Sequence, residues 1–137
     1  MRKAALSIGT LCLLALSALP VRAASPVDEF LEQKLASWQK RLKLDEWKIT
    51  VTLTPRAVLK PGTLGGIKWD KKKHTAAIAI IAPADYHMTE AAMLEDMEFT
   101  IVHELVHLEL ASLPKSEASR STEEFAVNQL ADALLGR

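Results

Sequence analysis

The stretch FTIVHELVHLEL, residues 99–110, contains His103-Glu104-Leu105-Val106-His107. An α-helix advances about 100° per residue, so side chains four apart lie on nearly the same face. Read as a helix, the stretch aims two imidazoles at one point in space. A Zn²⁺ ion about 2.0–2.1 Å from each nitrogen closes that geometry. Glu104 lies one step round the helix, too far to join the histidines as a ligand but able to reach a water held by the ion. There it can serve as a general base. Phe99, Ile101, Val102, Leu105, Val106 and Leu108 supply the apolar surface that would seat the helix in a core. His-Glu-x-x-His arises by chance at roughly one position in 30,000, so coincidence is a poor account of it in a chain of 137 residues.

Two histidines do not complete a catalytic zinc site, which takes three protein ligands and leaves a fourth position for water. No histidine follows His107, so a carboxylate must serve. Glu109, Glu117, Glu123, Glu124 and Asp132 are the acids downstream. Glu109 sits two residues from His107 and points to the other side of the helix. Glu117 falls in a polar loop, residues 115–122. Glu123 and Glu124 open a last helix over 123–135, capped by Ser121 or Thr122, which can fold back on the histidine helix.

Working towards the N-terminus, the histidine helix begins near Asp85 or Thr89, either of which can cap it, and runs to about residue 113. Before it, TAAIAIIA (75–82) reads as a strand with Ile78 and Ile80 on one face. Residues 64–70, carrying Ile67 and Trp69, read as another, and Asp70 to His74 as the turn between them. WKITVTLT (47–54) alternates apolar and polar, the pattern of a half-buried strand. Val27, Phe30, Leu31, Leu35, Trp38 and Leu42 recur at helical spacing after Ser25-Pro26, which predicts an amphipathic helix over 27–43. Grouped strands flanked by helices predict an α+β fold, with helices on one face of a mixed or antiparallel sheet.

The segment Glu124-Phe125-Ala126-Val127-Asn128-Gln129-Leu130-Ala131, taken with the histidine motif, resembles the second motif of the glutamate-liganded zincins, the gluzincins. ImmA/IrrE-like peptidases are among them. The strand patterns are also similar, more loosely, to compact SprT-like and minigluzincin-type domains. That resemblance spans about residues 47–135. It implies a minimal zincin-like domain with Glu124 as third zinc ligand, Glu123 as the alternative, and Asn128 steadying a zinc-bound imidazole through its other nitrogen. Such peptidases also carry a Tyr, His or Arg that steadies the oxyanion; no motif marks it here, and Tyr86, His87 and Arg120 are the candidates. In the family outline the strand before the active helix, 75–82 here, forms the cleft edge where an extended peptide pairs. Its alanines equally suit close packing on a helix.

The first 23 residues read as a signal peptide: Arg2 and Lys3, an apolar run over 4–19, then Val21-Arg22-Ala23 with small residues for cleavage. The run is short for an uncleaved anchor, which needs about 20 apolar residues. Cleavage leaves residues 24–137 as one domain, removes the only cysteine, Cys12, and places the protein in the periplasm or outside the cell. The remaining 14 basic and 17 acidic residues give no electrostatic reason to bind nucleic acid, and Lys71-Lys72-Lys73 reads as a solvated hairpin tip. The expected activity is zinc-dependent peptide hydrolysis by an exported monomer, with a peptide or protein substrate and no membrane contact after cleavage. Two further readings are a zinc-stabilised binding or inhibitory module of peptidase-like fold, and a cell-wall amide hydrolase.

Overall fold

The computed structural model describes residues 24–113 and 119–137, with side chains from residue 122 onward in the second stretch. The expected signal peptide, Glu117 and the Arg120 side chain lie outside the described residues. The fold is α+β, as the sequence predicts: three α-helices and a three-stranded mixed sheet. No helix among the described residues is long and apolar enough to cross a membrane.

Helix α1 spans Pro26–Arg41. Ser25 and Asp28 form a reciprocal cap, the Ser25 hydroxyl accepting from the Asp28 N–H and the Asp28 carboxylate from the Ser25 N–H. Pro26 costs nothing at the first helical position, where its missing N–H has no partner to lose. Leu31, Leu35 and Trp38 are buried. At the far end the Gln39 amide donates to the carbonyls of Leu44 and Trp47, tying the helix to the entry of the first strand.

Strands β1 (Lys48–Thr54), β2 (Gly65–Asp70) and β3 (Thr75–Ile81) lie in the order β1-β3-β2, with β1 parallel and β2 antiparallel to β3. Three cross-strand rows face the helices: Ile49–Ala76–Trp69, Val51–Ile78–Ile67 and Leu53–Ile80–Gly65. Ala76, Ile78 and Ile80 of the middle strand are buried. The opposite face carries Thr50, Thr52, Ala77 and Lys68, all exposed. β3 is therefore the central strand, which corrects the expectation that it forms a pairing edge. Both its sides are taken, and the free edge beside the second helix belongs to β2.

Helix α2 spans Glu90–Glu109 and is capped by Thr89, whose hydroxyl accepts from the Ala92 N–H. Asp85 sits instead in a short 3-10 turn and accepts from the Arg56 N–H. The α-helix stops at Glu109, and a 3-10 turn over Leu110–Ser112 completes the stretch expected to be helical. The Lys71 ammonium, at the β2–β3 turn, donates to the Ala111 carbonyl there. Helix α3 spans Ser119–Leu135, so it begins ahead of Ser121 and Thr122 rather than being capped by them. It docks on α2 through Val127 and Ala131, both fully buried.

One polar group holds α1 to α2. Glu98 accepts from the Trp38 indole at 2.8 Å and pairs with the Lys34 ammonium at 2.7 Å. Burial pushes its carboxyl up, but the hydrogen bonds from Lys34 and Trp38 outweigh that and hold it below the ordinary glutamate value. Glu98→Ala leaves the indole N–H of a residue that is 3 % exposed without its acceptor. The expected cost is about 1–3 kcal/mol, read as a lower urea midpoint. A depressed carboxylate contributes stability above its unfolded pKa of about 4.3 and loses it as the pH falls through the folded value. The deficit of the variant should therefore shrink in acid.

Candidate metal centre

One stripe of α2 faces away from the core onto a cleft. Asp96, Phe99, Thr100, His103, Glu104 and His107 recur at spacings of three and four and line it together, with β2, the 58–64 loop and the start of α3 as the other walls. On the far side of the helix Met97, Ile101, Val102, Leu105 and Leu108 are buried. The same turn periodicity thus fixes the helix in the core and exposes the histidines. The cleft encloses about 1360 Å³.

Within it the His103 and His107 Nε2 atoms are 3.1 Å apart. Glu124 brings one carboxylate oxygen to 3.1 Å from His107 Nε2 and the other to 3.5 Å from His103 Nε2. Atoms bonded to a tetrahedral Zn²⁺ at about 2.0–2.1 Å stand about 3.3–3.4 Å from each other. The three side chains are thus spaced as the corners of one coordination sphere, and they could hold a metal ion.

The outer nitrogens of the two rings each meet an oxygen. His103 Nδ1 meets Asn128 Oδ1 at 3.0 Å, and His107 Nδ1 meets Glu123 Oε1 at 3.1 Å. Each oxygen can accept a ring N–H, a pairing in which Nδ1 carries the proton and Nε2 presents a lone pair. Burial, and then the neighbouring His107, lower the His103 pKa and favour its neutral form. In that arrangement two lone pairs and a carboxylate face one another, and a cation among them would offset their repulsion. The donor set therefore fits a metal ion.

Glu123 and Glu124 are adjacent at the start of α3, and the structure separates their positions. Glu124 reaches the inner nitrogens, whereas Glu123 sits behind His107 and fixes its ring. The stripe Glu124, Val127, Asn128 and Ala131 faces α2, with the two buried residues setting the rotation of the helix. Spacing alone does not distinguish the two acids; the resemblance points to Glu124, the acid that joins the cluster with both histidines. Asn128 stands against His103, the imidazole that the gluzincin resemblance leaves unspecified.

Glu104 is 6 % exposed. Burial, then the Glu124 charge, push its carboxyl up to about 7. Behind it Gly65 lets β2 come close: a Cβ there would stand 2.5 Å from Thr100 Cγ2, 2.7 Å from the Ala79 carbonyl oxygen and 3.8 Å from a Glu104 carboxylate oxygen. Phe99 leans on the other side of the site, its ring 6.0 Å from that of His103. The sequence pattern marks Phe99 only as an apolar residue of the helix and does not single out Gly65.

Of the oxyanion candidates, Tyr86 is engaged elsewhere. Its hydroxyl donates to Asp96 at 3.0 Å, about two helical turns before His103, and burial followed by the Asp96 charge raises its pKa. His87 is exposed and does not line the cleft.

No family model, no curated protein and no solved structure matches this chain. The gluzincin resemblance therefore stands on the two motifs themselves.

Proposed function

We propose that the protein is a zinc-dependent metallopeptidase of minimal gluzincin architecture, exported by the segment that precedes residue 24. The observation that carries this reading is the convergence of His103 Nε2, His107 Nε2 and the Glu124 carboxylate beside a buried Glu104.

Bound among those three side chains, Zn²⁺ would supply a Lewis acid that draws electrons from a water molecule and from the scissile carbonyl. The chain's own residues do the rest. His103, His107 and Glu124 hold the position, while Asn128 and Glu123 keep the rings turned. Glu104 takes a proton from the water as its oxygen adds to the carbonyl carbon. It returns that proton to the nitrogen as the C–N bond breaks. One carboxyl within reach of the water can carry out both halves of that transfer.

The edge of β2 offers a way to hold the substrate. Leu64 accepts from the Ile81 N–H, and antiparallel pairs alternate, so the N–H and C=O of Gly65 and Ile67 turn away from β3. An extended peptide can add there as a fourth strand, alongside Glu104.

Digestion of a broad peptide library by the zinc-loaded protein, followed by mass spectrometry, tests the activity. New termini that vanish with a chelator and return with Zn²⁺ support it. A protein that holds zinc and cleaves nothing is instead a zinc-stabilised binding module. That second reading is favoured by Tyr86 pairing with Asp96 rather than facing the cluster. Release of amide-cleaved fragments from peptidoglycan alone would make it a cell-wall hydrolase.

A further inference from the structure

Gly66 stands inside a strand that has no need of it. Glycine there forgoes side-chain packing and costs backbone entropy, and it marks places where a ligand or another backbone comes close. At Gly65 the close neighbours are Thr100 and Ala79. At Gly66 a Cβ would meet nothing within 4 Å. Nor is its backbone left-handed, unlike that of Gly62 and Gly136. The room that a side chain would fill is open on the outer face of the sheet.

That room has a definite shape. Gly66 is in register with Ala79 and Thr52, and Lys68 with Ala77. Small side chains make the floor, Lys68 follows on the same face two residues along β2, and Lys60 and Lys68 both line the cleft that also holds the metal ligands. Neither lysine has a carboxylate within 4 Å among the described residues.

A peptide added to the β2 edge turns alternate side chains to opposite faces of the sheet. Those on the helix side approach His103 and Glu104. Those on the other side come beside Gly66 and Lys68, since cross-strand neighbours have Cβ atoms about 4.5–5.5 Å apart. We infer that the outer hollow is a substrate side-chain subsite that selects an acidic residue, lying within a residue or two of the scissile bond. This rests on the peptidase reading above and names what such an enzyme prefers. Glutamate suits it by size and charge: its methylenes cover Gly66 and the small-residue floor, and its carboxylate comes beside Lys68.

The test is binding, so it does not depend on turnover. Zinc-loaded Glu104→Gln protein is titrated, by fluorescence anisotropy, against labelled peptides that differ only in Glu, Gln, Gly or Lys at one scanned position. One position should prefer Glu over Lys by tenfold or more. The double variant Lys60→Glu/Lys68→Glu should reverse that order. Gly66→Val, which places a good strand former in open space, should keep its zinc and its melting temperature. It should weaken the Glu peptide about tenfold more than it weakens the Gly peptide. The inference is overturned if no position separates Glu from Lys, if no peptide binds, or if Gly66→Val binds the Glu peptide as tightly as its parent does. Should the preference appear while the wild-type protein cleaves none of these peptides, the subsite stands and the peptidase reading falls.

Discussion

Glu104→Gln is expected to keep its metal and its fold and to lose peptide cleavage by a factor on the order of 10²–10⁴. The amide has nearly the shape of the carboxylate, so a side chain that is 6 % exposed should repack in place. It lies outside the trio of converging donors, so zinc content by atomic emission should stay at its parental level. What it lacks is basicity: an amide cannot take a proton from water at neutral pH. The informative comparison is kcat against metal stoichiometry in one preparation. Undiminished cleavage with zinc in place would remove Glu104 as the base and with it the mechanism argued above. Loss of both together would instead make Glu104 a structural residue of the site.

Removing the metal should have the largest effect on stability. A ligand that binds only the folded state at about a hundred times its Kd contributes about 2.7 kcal/mol. In a domain of this size that corresponds to a melting temperature lower by roughly 10–15 °C after chelation. Glu124→Ala takes away one corner of the coordination sphere and should abolish stoichiometric zinc. Glu123→Ala and Asn128→Ala leave every donor present but free one imidazole each, and should weaken zinc by about 10–100-fold. The graded order matters, because a purely electrostatic role for the acidic pair would make Glu123 and Glu124 equivalent. A protein purified metal-free at neutral pH, with a melting temperature indifferent to added Zn²⁺, would refute the centre altogether.

Much of the architecture was legible because it rests on local periodicity. The alternation of residues 47–54 and the i, i+4 histidines carry strand and helix directly, and both fall where the pattern puts them. Strand order was not legible. Whether β3 pairs on one side or both depends on β1 running parallel to it across some twenty intervening residues, which no short-range pattern records. The limits of α3 depart from the residue pattern for a related reason. Ser121 and Thr122 have capping chemistry, yet Ser119–Leu135 is continuous helix, and a cap-forming residue inside a helix looks the same in sequence. At the centre, His103, Glu104 and His107 could be recognised from spacing alone. The division of labour between Glu123 and Glu124 could not, since about 100° of helix rotation decides it and that rotation is set by how Val127 and Ala131 bury.

Those two side chains have one more consequence. Among the described residues they are the only fully enclosed ones on the C-terminal helix, a thin apolar seam for seventeen residues. Without the ion as a latch, that helix would peel away more readily than the sheet could open, and its backbone would be laid open to proteases. Supply of the metal would then govern how long each copy survives, as well as whether it works.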